Sequence, residues 1–225
     1  MKVLIITSCS ARKDDSVPIL EGFKVVQPSY YLDDESLIMR LNNIRERVFQ
    51  DPRANVGSRT TYAFDLYVRA GNAYRELKNK NYYRLKSALL SSNDVEWFFL
   101  SGGYGVIHAL EAARKYQATF NRNIAYQSNI PYTAKMWNNV LPTFLDAIIS
   151  KFNPRWVYVF GSQDYTNFVK QTNFWKGCTN VKIFESKGYS GPIWLSPIIN
   201  ECVESILSDK LELFNNKYPR LLKQR

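Results

Sequence analysis

Short apolar runs that end in polar turns alternate along this chain with stretches of helical periodicity. Residues 3–7 are all β-branched or aliphatic and predict a buried first strand. Ser8 to Asp15 (Ser-Cys-Ser-Ala-Arg-Lys-Asp-Asp) makes a polar turn at its carboxyl end. Residues 18–31, with Pro18 and Pro28, read as irregular. Asp33 or Asp34 then caps a helix whose stripe is Leu37, Ile38, Leu41, Ile44 and Val48. The stretch Asp51–Thr61 carries Pro52 and Gly57 and predicts a mobile basic loop. Helices follow over about 65–79 and 82–91, and a strand over 95–100. Residues 133–152 predict a helix restarted at Pro142, since proline suits a first turn. A strand at 156–160 opens through Gly161–Tyr165 into a helix near 164–171, and 181–184 is a short strand. Ser196-Pro197 predicts a helix start, and 209–225 a basic helical or frayed tail.

Strands alternating with helices define an α/β fold. We expect one domain over 1–225, with a mostly parallel sheet of about four or five strands flanked by helices. Within it we expect residues 32–91 to form a basic helical insertion, which the charge pattern below assigns as nucleic-acid-binding.

Charge sharpens the picture. The 225 residues carry a net charge of +10. Between Arg40 and Lys86 there are eleven basic and four acidic residues, with Tyr62, Phe64, Tyr67, Tyr74, Tyr82 and Tyr83 interleaved. Arginine pairs bidentately with phosphate and aromatic rings stack on unpaired bases. Arg45, Arg53, Arg59, Arg69, Arg75 and Lys78 are the candidate contacts to a nucleic-acid backbone; the alternative is a solvated basic face over an aromatic core. The opening apolar run is too short for a signal peptide, and no stretch approaches the roughly 20 apolar residues that span a bilayer. Cys9, Cys178 and Cys202 lack paired-ligand spacing, which argues for the cytoplasm and against a structural zinc site.

Three strand ends carry polar turns: Ser8–Lys13, Ser101–Gly105 and Gly161–Tyr165. In a parallel sheet these ends share one edge, where open α/β sheets bind ligands. Ser8, Ser10, Lys13, Ser101, Gly102, Gly103, Tyr104, Ser162 and Tyr165 would line it, and Tyr116 follows twelve residues after Tyr104. The turn at 101–105 has neither the Walker ending nor a dinucleotide fingerprint, so neither ATP nor NAD is inferred and no cofactor is expected. An N-glycosidic bond breaks through an oxocarbenium-like state that a carboxylate stabilises. Glu111, Asp164 and Asp65 are the candidate catalytic groups, although Glu111 and Asp164 equally suit the first turn of a helix. His108 is a candidate acid, base or contact; a lone histidine is more often structural. Cys9 follows a strand and precedes basic residues, which would activate it if exposed.

Leu100-Ser101-Gly102-Gly103-Tyr104-Gly105-Val106-Ile107 followed by Tyr116 resembles the YaaA-like superfamily, which includes domains found in phages and defence loci. Asp65-Leu66-Tyr67, Ser162-Gln163-Asp164-Tyr165 and the opening strand with Ser8-Cys9-Ser10-Ala11-Arg12-Lys13 resemble its other motifs. The match spreads over residues 1–170. It departs at His108-Ala109 and Lys115, where the family usually has proline. The resemblance implies DNA binding through an element related to that of DNA glycosylases, a setting of base modification and phage defence, and a site role for Tyr67. The expectation is an N-glycosylase that excises a modified or damaged base from DNA. The alternatives are a non-catalytic DNA-binding stress-response protein and a nucleotide or nucleobase transferase.

Overall fold

A computed structural model describes residues 2–92, 94–188 and 190–224. The chain enters through β1 (Val3–Ser8), continues through the one-turn helix α1 (Pro28–Tyr31) and reaches α2 (Glu35–Phe49). Asp34 caps α2 by accepting from the Ser36 amide at 2.7 Å, and Leu41, Ile44 and Val48 are its buried stripe, as the spacing predicts. After β2 (Thr60–Tyr62) come α3 (Ala63–Val68), α4 (Arg75–Lys80) and α5 (Tyr82–Ser91). The single helix expected over 65–79 is instead interrupted at Gly71, where a Cβ would lie 2.9 Å from that of Ser10.

Next are β3 (Val95–Ser101), β4 (Gly105–His108) and β5 (Ala112–Arg114). They lead through α6 (Arg122–Ser128) and α7 (Ala134–Trp137) to α8 (Leu141–Phe152), which restarts at Pro142 as expected. Then follow β6 (Trp156–Ser162), α9 (Gln163–Lys170), α10 (Asn173–Gly177), β7 (Val181–Ser186), α11 (Gly191–Leu207), α12 (Leu211–Lys217) and β8 (Leu221–Lys223).

The main sheet has six strands in the order β4-β3-β1-β6-β7-β8, all parallel except β4, which turns back antiparallel along β3. A separate ribbon pairs β2 with β5. The fold is therefore the expected α/β type, with helices flanking a sheet slightly larger than anticipated. β1 lies inside the sheet and all seven residues of β3 are buried, so both strands are largely apolar, with Glu96 of β3 the buried exception that pairs with His108. From β1 the chain builds outward to β3 and β4, then crosses back to add β6 on the other side. The order reverses between β1 and β6, the place where such sheets bind ligands.

Several local expectations change. α11 starts at Gly191, so Ser196 is no cap: it is buried, and its hydroxyl accepts from the Glu76 amide at 2.9 Å. The tail adds a short strand to the sheet. The loop after Asp51 is tied down by backbone hydrogen bonds, the Gly57 amide donating to the Lys115 carbonyl and the Gln117 amide to the Ala54 carbonyl. Among the described residues no helix is long and apolar enough to cross a membrane.

Candidate active site

The carboxyl ends of β1, β3 and β6 stand side by side, with Ser8 paired to Leu100 and Thr7 to Phe160. The turn after β1 is held from below. The Cys9 amide donates to Leu100, Tyr74 donates its hydroxyl to the Ser8 carbonyl, and the Asp14 carboxylate pairs with Arg69 at 3.0 Å. At the reversal point, Gly161 leaves the room that Ser8 fills; a Cβ there would sit 3.2 Å from the Ser8 Cβ.

The turn after β3 is packed from all sides. A Cβ on Gly102 would meet the Thr119 amide nitrogen at 2.5 Å, and one on Gly103 would meet the Tyr116 ring at 2.6 Å. The Gly102 carbonyl accepts from Thr133 Oγ1 at 2.7 Å and from Trp137 Nε1 at 3.3 Å. Within this frame lies a buried relay of hydroxyls. Ser101 Oγ accepts from the Tyr104 amide at 3.0 Å and meets Tyr116 Oη at 2.5 Å. Tyr67 Oη lies 3.1 Å from Tyr116 Oη and 3.5 Å from Ser101 Oγ. The Tyr104 ring sits edge-on between Phe49 and Tyr116.

The first turn supplies the charged and soft groups. Cys9 Sγ lies 3.7 Å from Tyr165 Oη, and Lys13 Nζ stands 4.3 Å above the centre of the Tyr116 ring. Burial, with a smaller contribution from Cys9, holds Tyr67, Tyr116 and Tyr165 well above the ordinary tyrosine pKa, so their hydroxyls keep their protons. Dehydration draws Lys13 below the ordinary lysine value; Cys9 opposes this and Lys115 adds to it. Lys13 belongs to no ion pair among the described residues.

Asp164 is half-buried in the first turn of α9 and accepts from Asn121 Nδ2 at 2.7 Å. The Ser162 hydroxyl makes no cap bond to that helix. The edge thus gathers Ser8, Ser10, Lys13, Tyr67, Ser101, Gly102, Gly103, Tyr104, Tyr116, Ser162, Asp164 and Tyr165.

The other expected site residues are engaged elsewhere. Glu111 is buried, 2.5 Å from Arg45 Nη1, and accepts from Tyr31 Oη at 2.9 Å and the His108 amide at 3.3 Å. Arg45 also donates to the carbonyls of Tyr104 and Val106, at 3.0 and 2.6 Å. Its burial opposes charge, but Glu111 holds it ionised above the ordinary arginine value. A guanidinium enclosed in this way cannot reach a phosphate, so Arg45 is a structural tether between α2 and the β3–β4 turn. Asp65 is fully buried, accepting from Tyr82 Oη and pairing with Lys86 at 2.7 Å. His108 is buried against Glu96 at 2.7 Å while its Nδ1 accepts from the Leu110 amide, the arrangement of a core histidine.

Of the remaining expected backbone contacts, Arg53 pairs with Asp51 at 2.6 Å and Arg69 with Asp14. Arg59, Arg75 and Lys78 are exposed. Together they occupy the 51–59 loop, the end of α3 and α4, and form no single stripe.

Two edge residues, Thr119 and Asn121, escaped the sequence reading of the site, whereas Cys9 was singled out by its place after a strand. Thr119 and Asn121 follow Tyr116 with no motif of their own. Among the described residues no group of three or more His, Cys, Asp or Glu side chains is arranged to hold a metal ion. Compared with models of known protein families and with curated proteins, the chain matches none.

Proposed function

We propose that this protein is an enzyme that cleaves the N-glycosidic bond of a modified or damaged base in DNA, with the carboxyl edge as its pocket. The observation that carries the reading is the meeting of three strand-end turns around tyrosine rings, one amine and one half-buried carboxylate. The resemblance to YaaA-like proteins points the same way. An extruded base is held at the mouth of this edge, beside Lys13 and Asp164. The C1′–N bond breaks with its electron pair going to the base nitrogen, which takes a proton from the Lys13 ammonium. Water adds to C1′ and gives its proton to the Asp164 carboxylate, leaving an abasic sugar.

The test is incubation of the full chain with DNA carrying modified bases, followed by assay of released base and abasic sites. Asp164→Asn is expected to lower base release by about 100-fold or more while leaving DNA binding unchanged. Undiminished release by that variant, or no release from any modified DNA, overturns the reading; DNA binding without release would return the protein to the non-catalytic alternative. Cys9 favours a second reading, a nucleobase or nucleotide transferase, because a thiol beside an amine can carry a covalent intermediate. That reading expects a nucleotide-derived mass adduct that Cys9→Ser abolishes.

A further inference from the structure

A second feature lies on the flank of this edge. α2 and α7 enclose a groove of about 470 Å³. Arg40, Asn43 and Arg47 line one wall, Lys135 faces them, and Met39 and Met136 contribute apolar surface. Positions 40, 43 and 47 fall on one stripe of α2. No carboxylate lines the groove, and Arg40, Arg47 and Lys135 are exposed and outside every ion pair among the described residues. This separates them from Arg45, Arg53 and Arg69, each of which has a carboxylate partner. Met39 is 64% exposed and lies beside Arg40 on this wall.

Both walls adjoin the turn after β3. Two residues beyond Arg47, Phe49 packs on Tyr104 at 4.8 Å between ring centres. Two residues beyond Lys135, Trp137 donates to the Gly102 carbonyl. Arg40 and Arg47 are about 10 Å apart along the helix, about three base steps at roughly 3.4 Å each. A single strand offers what a duplex does not, phosphates together with the faces of unpaired bases. A single strand meets guanidinium and ammonium groups with its phosphates and the methionine surface with its sugars and bases.

We propose that the α2–α7 groove binds the phosphate backbone of single-stranded DNA and delivers it to the carboxyl-edge pocket. The direction of delivery rests on the reading of that pocket as a base-releasing site; the groove itself stands on its charge and shape. Arg40, Arg47 and Lys135 then replace the dispersed cations of the 53–78 region as the backbone contacts.

The experiment measures anisotropy of a labelled mixed-sequence DNA single strand with the full chain over a salt series. Three phosphate contacts on a single strand correspond to a slope of about −2 in log K against log salt. The Arg40→Gln/Arg47→Gln/Lys135→Gln variant is expected to bind at least about tenfold more weakly at low salt and to lose about 2 from the slope. Arg75→Gln/Lys78→Gln on α4 is expected to match the wild type in both. Equal binding by the groove variant and the wild type, or no binding by the wild type, overturns the proposal. So does loss of binding to anionic lipid vesicles with DNA binding unchanged, which would give the groove to a membrane surface. Groove-dependent binding without base release sinks only the glycosylase reading. Base release from single-stranded DNA that is undiminished in the groove variant sinks only the groove.

Discussion

Gly105 and Trp137 compete for one volume. A methyl group at position 105 would lie 2.3 Å from the indole, and the backbone there has φ of +68°, where side chains are strained. Gly105→Ala is expected to destabilise the protein by about 2 kcal/mol or more, read as a fall in Tm of about 4 °C or more. Lys13 makes the opposite kind of prediction. Its folded-state pKa is depressed, chiefly by dehydration, so below that value the half-buried charge works against folding. Between the folded pKa and the unfolded value near 10.4, the unfolded chain holds more protons and stability rises with pH. Lys13→Met is therefore expected to be more stable than the wild type at neutral pH, with the gap closing as pH climbs toward 10 in parallel thermal melts. The glycine turn was legible as conformational freedom at a strand end. Its partner Trp137 was not, because nothing in a local window reveals a contact across more than thirty residues.

At the level of elements, one buried ion pair fastens α2 to the β3–β4 hairpin. Removing one partner of such a pair strands the other as an unpaired buried charge. Glu111→Ala is expected to cost about 3–5 kcal/mol in urea unfolding. Arg45→Leu/Glu111→Leu, which removes both charges, is expected to cost less than the single change. The same contact explains why Glu111 read as a catalytic candidate: its spacing from Gly105 is visible in sequence, but the arginine that neutralises it arrives from sixty-six residues upstream. Asp65 and His108 were displaced for the same reason, by Lys86 and Glu96. Long periodic elements such as α2 and the fully buried strands were legible. β2, β4, β5 and β8 were not, since three or four residues offer no alternation to detect and their pairing is set by distant partners.

In the whole molecule, β8 closes one side of the sheet by pairing with β7, and Lys182 reaches back to the carbonyls of Asn215 and Tyr218 beneath it. Deleting residues 218–225 is expected to bare the edge of β7 and raise light scattering on heating, with a lower Tm. The parallel architecture with its ends on one side was legible from the alternation of elements. The topology that sets β1 between two later strands was not, because pairing order depends on contacts no segment contains. That topology has a practical consequence. The proposed site draws on residues 8–13, 67, 101–121 and 162–165, pieces of chain that only the native state holds together. A genuine occupant must therefore raise the melting temperature of the entire fold, by an amount that grows with the logarithm of its concentration above Kd. A thermal-shift screen across free nucleobases, nucleosides and short oligonucleotides will report on the resident chemistry without anyone having to guess the reaction first.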